Sequence, residues 1–226
     1  MAASDLVRHH VASCYRICSI ARLTVLMTAP SLIGLAPMLL TEIPRPFSRE
    51  GWTFELKYDG WRCLAEIRDG DVRLQSRRGF DLTRRWPAVV QSLSTLAGHH
   101  ILDGEMCVLD DLGRSDFERL HLRASPKTLC VFDLLVFKGV YIMGEPLSNR
   151  KRRLAELIPT PLPSVLLVGT LDTEGEWLYQ QALALRLEGI VGKRLDSLHF
   201  PGIRSSDWLK VKRPGAVPPE RFKPRS

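Results

Sequence analysis

The sequence predicts an α+β fold with mainly antiparallel sheets. Three observations lead there. Strand-like and helical segments are interleaved without regular β-α-β alternation. Residues 61–68 and 72–76 read as strands joined at Asp69-Gly70, a tight-turn pair that makes antiparallel neighbours. No internal repeat points to a solenoid or propeller. With 226 residues, 45% of them hydrophobic, the chain can form one large domain or two small ones.

Residues 1–35 differ from the rest. Arg8, Arg16 and Arg22 stand against one acid, Asp5, and an apolar run follows from Leu23 to Ala36. This superficially resembles a signal or transit peptide, but Arg22 and Pro30 interrupt it and it is too short to span a bilayer. A second methionine, Met27, precedes the domain-like part. We read 1–26 as an unstructured extension from an upstream start, in preference to a targeting segment, and 1–35 as a poorly ordered leader. Residues 36–213 form the domain, and 214–226 a loose basic tail rich in proline.

Within the domain, Pro37 to Pro46 leads in and packs against it. Trp52–Lys57 alternates as a strand. Trp52, Phe54 and Leu56 face one side, and Thr53, Glu55 and Lys57 the other. Tyr58-Asp59-Gly60 breaks the pattern with turn-formers. Trp86–Leu96 has helical spacing with Pro87 in the first turn. Ile101–Leu109 is a strand carrying Asp103-Gly104-Glu105, and Asp116–Leu122 a short helix. Thr128–Phe137 is a long apolar strand buried on both faces. Ser148 caps a basic helix through Ile158, and Val165–Val168 is a short strand. Thr173 and Glu176 form a capping box for a helix to about Leu187. Glu188–Lys193 and Trp208–Lys212 are the last strands, with Lys210 and Lys212 on one face.

The formal net charge of +7 suits a polyanionic partner such as nucleic acid, although solvated lysines on any enzyme give the same count. The five cysteines are odd in number, irregularly spaced and show no paired zinc-type spacing. Cys63, Cys107 and Cys130 sit in apolar strands, so buried free thiols and a reducing cytoplasm are expected.

The chemistry centres on Lys57. A lysine amine becomes a nucleophile when burial or nearby cations lower its pKa. Lys210 and Lys212 are a cation pair able to hold phosphates and to depress the pKa of Lys57 by repulsion. Glu188 and Glu105 suit a hard divalent cation or a ribose hydroxyl. Phe132 is an aromatic plate for a base, and Arg62 and Arg77 offer forked donors to phosphate or sugar oxygens. Each has a plain alternative. Phe132 in an apolar strand is core about three times in four, and Lys210 with Lys212 could be a solvated end. The order and local contexts of these residues together carry the reading.

In that order the chain resembles the covalent nucleotidyltransferase superfamily of ATP-dependent DNA ligases, RNA ligases and mRNA capping enzymes. The first motif, K-x-D-G, is Lys57-Tyr58-Asp59-Gly60. S-R-x-G follows as Ser76-Arg77-Arg78-Gly79, D-G-E as Asp103-Gly104-Glu105, and an aromatic-Asp pair as Phe132-Asp133. E-G-x-V-x-K is Glu188-Gly189-Ile190-Val191-Gly192-Lys193, and K-x-K is Lys210-Val211-Lys212. Pro37-Met38-Leu39, Trp52-Thr53-Phe54-Glu55 and Trp208-Leu209-Lys210 are most similar to bacterial ATP-dependent DNA ligases, especially the ligase module of end-joining enzymes.

The resemblance, over about residues 37–213, implies two antiparallel β-sheets flanked by helices around a nucleotide groove, an ATP-grasp-like arrangement. It implies that Lys57 attacks the α-phosphate of ATP, that AMP passes to the 5′-phosphate of nicked or broken double-stranded DNA, and that the 3′-OH then seals the strand in repair. Glu55 reads adenine and Phe132 stacks on it. Arg62, Arg77 and Glu105 hold ribose and reacting groups. Glu188, with Glu105, binds Mg²⁺ or Mn²⁺, and Lys210 and Lys212 bind phosphates. Arg78 stands where such ligases often carry Asn, which alters contacts to the nick phosphate. Only 14 residues follow Lys212, too few for the OB-fold that completes family ligases. Either a separate OB-fold or end-joining partner protein supplies it, or the chain is a truncated module that adenylates poorly or not at all. Competing readings are an RNA ligase or GTP-using capping enzyme, and a non-catalytic module that binds nucleotide or DNA ends.

Overall fold

The structure is a computed structural model that describes residues 30–216. The extension expected over 1–26, Met27, and residues 217–226 of the tail lie outside the described residues. Among the described residues, no helix is long and apolar enough to cross a membrane.

Two sheets form the framework. The first has five strands, β1 (Leu39–Glu42), β2 (Trp52–Lys57), β9 (Leu171–Asp172), β10 (Gly189–Arg194) and β11 (Arg204–Lys212), in the order β1-β11-β10-β2-β9. The second runs β4-β3-β5-β6-β7, from β3 (Trp61–Arg68), β4 (Asp71–Ser76), β5 (His99–Cys107), β6 (Thr128–Phe137) and β7 (Val140–Tyr141). A short β8 (Val165–Leu167) pairs with β6. Neighbours are antiparallel except β1 with β11 and β6 with β8. The predicted α+β class and two-sheet plan are both present. The β3–β4 turn has Asp69 and Gly70 at φ 46° and 91°, the left-handed pair a tight hairpin needs.

Each sheet carries its own core. Helices α1 (Pro87–Leu93) and α2 (Leu147–Leu157) supply Val89, Leu93 and Leu154 to a core with Ala65, Leu74, Leu102 and Leu134. Helix α3 (Gly175–Ala184) covers the first sheet, where Leu178 and Ala182 pack on Phe54 and Ile190. Leu32 and Leu35 are buried against Leu64, Ile101 and Val136, so packed chain is present upstream of residue 36.

Several local expectations are corrected. Ser148 does not cap α2; Pro146 occupies that position. The first-turn amides of Leu147 and Ser148 instead donate to the carbonyls of Ser197 and Leu195, at 3.0 and 2.9 Å. The Thr173–Glu176 capping box is absent, because Thr173 is left-handed at φ 64° and the Glu176 amide donates to Ser48 Oγ at 3.1 Å. Tertiary partners thus replace local caps. Helix α3 stops at Ala184, where left-handed Arg186 lets the Leu187 amide turn back to the Ala182 carbonyl. The helix expected over 116–122 is a 3₁₀ turn over Glu118–His121, and α1 ends at Leu93. Strand β11 begins four residues before Trp208, extended by pairing with β1.

Candidate active site

The two sheets meet at a cleft lined by Glu55, Lys57, Arg62, Glu105, Phe132, Lys193 and Trp208, among others. Alternation in β2 explains one wall. Phe54 and its neighbours go into the α3 core, while Glu55 and Lys57 face the cleft. Gly60 fits the chain against the second wall. A Cβ there would overlap the Met106 carbonyl oxygen, so glycine alone lets the turn after Lys57 lie on β5.

Lys57 Nζ donates to Glu188 Oε2 at 2.6 Å. The expected depression of its pKa does not occur. Burial acts in that direction, but the carboxylates of Glu188 and Glu105 overcome it, and the pKa is raised. Lys210 and Lys212 reach a carboxylate on β1, Glu42, at 3.2 and 3.0 Å, and the leading influences on Lys57 are its burial and the carboxylates. In the resting cleft the nucleophile candidate is a protonated, ion-paired amine.

Glu105 is half-buried in the cleft wall, and desolvation, reinforced by Glu188 and Asp103, pushes its pKa up to about 7 against the opposing pull of Lys57 and Arg62. Burial also raises the pKa of Glu188. Two strained carboxylates beside one lysine are a site that gains from a divalent cation. Mg²⁺ commonly takes one or two protein carboxylates and completes its shell with water and phosphate oxygens. Among the described residues there is no cluster of three or more His, Cys, Asp or Glu that could hold a metal ion.

A carboxyl that holds its proton more tightly when folded supplies stability that is complete below its unfolded pKa and lost as pH rises through the folded one. For Glu105 the window is 4.5 to about 7. Glu105→Gln should therefore remove about 3 kcal/mol of pH-dependent stability across that window. Urea unfolding midpoints at both ends of it check this, and an unchanged slope in the variant would contradict it.

The remaining cleft residues pair among themselves. Arg62 forks onto Asp103, with Nε–Oδ1 2.6 Å and Nη2–Oδ2 2.7 Å, and its guanidinium stands 4.7 Å over the Phe132 ring. Phe132 is half-buried at the cleft rather than sealed in the core. Glu55 sits between Lys151 and Lys193, at 2.5 and 2.7 Å. Arg77 is not at the cleft; it is exposed on the turn after β4, where Gly79 is left-handed.

Lys193 was missed as a site residue, although it closes the E-G-x-V-x-K motif. It is buried, its ammonium lies 4.3 and 4.2 Å from the Phe132 and Trp208 rings, and burial lowers its pKa to about 8. Asp103, Lys151 and Trp208 were likewise passed over, because only the tertiary fold shows what they touch. A larger groove of about 1140 Å³, with Arg84, Arg85, Arg123 and Lys127, lies elsewhere but has no lysine–carboxylate pair. The cleft itself holds only about 50 Å³, well under the several hundred a nucleotide-sized ligand fills.

A lysine paired with a carboxylate, in a cleft between two mainly antiparallel sheets, is the arrangement of the nucleotidyltransferase class, and solved structures agree. The chain superposes with a TM-score of 0.73 at 32% identity on a mycobacterial DNA ligase D complexed with ATP and MES, covering 81% of this chain and 62% of that one. The ligase domain of LigD from M. tuberculosis gives 0.72 at 32% identity, covering 81% and 62%. The family model for the ATP-dependent DNA ligase domain matches residues 37–212, and the chain belongs to that family. Among curated relatives, the multifunctional non-homologous end joining protein LigD of Pseudomonas aeruginosa is 37% identical over 185 residues, 79% of this chain and 22% of the relative. The SPbeta prophage-derived DNA ligase-like protein LigB of Bacillus subtilis is 32% identical, over 78% of this chain and 67% of the relative. The chain spans less than a quarter of the first of these relatives.

Proposed function

We propose that this domain forms a covalent lysyl-AMP at Lys57 from ATP and passes AMP to the 5′-phosphate of nicked or broken DNA. The observation that carries the reading is the partly buried Lys57–Glu188 pair, with Glu105 beside it, at a cleft that also holds Phe132. In the first step Lys57 Nζ forms a bond to the α-phosphorus. The bond from that phosphorus to the bridging oxygen breaks and pyrophosphate leaves; the Lys57 ammonium gives up two protons to solvent and the departing pyrophosphate, one to free the lone pair and one as the P–N bond forms.

The structure explains why the resting amine waits. Its proton is held by Glu188 and Glu105. Glu188 and Glu105 would hold a Mg²⁺ or Mn²⁺ ion, which would supply charge neutralisation for the carboxylates and the transferring phosphate. The burial of Lys57 opposes its charged form and favours release of its lone pair once the pull of the two carboxylates weakens. Phe132, Glu55 and Lys193 provide a plate and a charged edge for adenine. Arg62 steadies the plate, and Lys210 and Lys212 hold phosphates. Arg77, away from the cleft, is placed to meet the DNA backbone rather than ribose. DNA is the macromolecular partner.

Single-turnover reaction with Mg²⁺, ATP and a nicked duplex labelled at its 5′-phosphate tests this. The expected product is 5′-adenylated DNA, followed by sealed strand. AMP transfer confined to RNA ends, or formed only with GTP, would overturn the DNA ligase reading. Binding of DNA without transfer would support a non-catalytic module.

A further inference from the structure

Strand β1 ends on a residue that none of the motifs includes. Glu42 lies directly beside Lys210 in the β1–β11 register, and the Ile43 amide locks that register by donating to the Lys210 carbonyl at 3.0 Å. Because β11 alternates, Lys212 emerges on the same face two residues on. One carboxylate oxygen, Glu42 Oε2, therefore meets both ammonium groups, at 3.2 Å from Lys210 and 3.0 Å from Lys212. The Glu42 side chain is 53% exposed and packs into neither core. Lys212, then Lys210, lower its pKa, so it stays ionised at neutral pH. The Lys212 charge also pulls down on the pKa of Glu188, against its burial. The contact is a carboxylate on two cations that are free of any other ion pair among the described residues.

We propose that Glu42 is a built-in competitor for the phosphate-holding lysines: its carboxylate occupies the position of a phosphate oxygen and sets the affinity of the cleft for polyphosphates. The inference rests on the reading of Lys210 and Lys212 as phosphate holders. A triphosphate must displace Glu42 to engage both lysines, and Glu42 retakes them when pyrophosphate departs. The cost of displacement falls equally on ATP and on pyrophosphate. Glu42 therefore weakens both while leaving the equilibrium between them unchanged, and it favours release of product.

Calorimetric binding of inorganic tripolyphosphate, without metal, tests this on the full chain. Exposed ion pairs contribute up to about 1 kcal/mol each, so Glu42→Gln should bind roughly three- to tenfold tighter than wild type. Glu42→Asp, which keeps the charge, should stay within about twofold of wild type. The gain from Glu42→Gln should vanish in a Lys210→Ala/Lys212→Ala background. The KM values for ATP and pyrophosphate should fall together with little change in kcat, which a merely structural role for Glu42 would not produce. Equal or weaker tripolyphosphate binding by Glu42→Gln, with an unchanged melting temperature, would overturn the proposal, as would a gain that survives loss of both lysines. Tripolyphosphate binding needs no covalent step. Tighter binding without any lysyl-AMP would therefore sink the proposed function and leave this inference standing.

Discussion

Arg150→Met should lower the unfolding free energy by about 3–5 kcal/mol, the range for breaking one partner out of a buried ion pair. Arg150 and Asp133 are both fully buried and pair through two bonds of 2.9 Å, Nε to Oδ1 and Nη2 to Oδ2. Arg150 Nη1 also donates to the carbonyls of Glu145 and Ser197, at 2.7 and 2.9 Å. Asp133 belongs to β6 in one sheet, and Ser197 follows β10 in the other. A single guanidinium thus ties α2 to both halves of the cleft. Methionine fills most of the volume but strands the Asp133 carboxylate without a counter-charge. Asp133→Asn in the same background should restore much of the loss, because the uncompensated charge, rather than the missing bonds, is the main cost. Urea unfolding of the two variants measures both effects. A loss under about 1 kcal/mol for Arg150→Met would mean that water reaches the pair.

Glu188→Gln should slow lysyl-AMP formation by roughly 100-fold or more, the scale for losing one placed electrostatic group. The expectation discriminates between two roles. Glu188 holds a proton on Lys57 through the 2.6 Å contact and would also hold the divalent cation. If holding the proton were its sole effect, the neutral amide would free the nucleophile and speed the reaction near neutral pH. If it anchors the cation, the rate falls and raising the pH does not recover it. Rates of label transfer from ATP across a pH series decide between them. A faster variant would contradict the cation role.

Much of this was legible in the sequence, for identifiable reasons. Strands β2, β3 and β6 have the bounds expected, because alternation or a long apolar run is a local property. The Asp69-Gly70 hairpin was readable from two residues whose backbone preferences allow little else. Cys63, Cys107 and Cys130 are free and buried, as apolar surroundings implied. What escaped depends on distant partners. Strand β1 has four residues and no alternation, and exists because β11 offers it a parallel edge. The caps of α2 and α3 come from Ser197, Leu195 and Ser48, which no local window contains.

The site divides in the same way. Spacing placed Glu55, Lys57, Arg62, Glu105 and Phe132 on strands that face a common cleft. The electrostatics were misjudged, because a cation pair was expected to act on Lys57 and sequence gives no sign that Glu42 pairs with both of its lysines. Arg77 was grouped with the ribose contacts by motif order, yet the turn that carries it points away from the cleft lining. Lys193 lay inside a quoted motif, but its value comes from stacking over Phe132 and Trp208, which only folding brings together.

The most direct test of the account is to locate the covalent bond. The chain, freed of bound AMP with pyrophosphate, is incubated with Mg²⁺ and ATP and digested, and the adenylylated peptide is sequenced by mass spectrometry. The account predicts one AMP per chain, on Lys57, as an acid-labile phosphoramidate that is absent from Lys57→Ala and not formed with GTP. AMP on another residue, or no adduct although ATP binds, would contradict it.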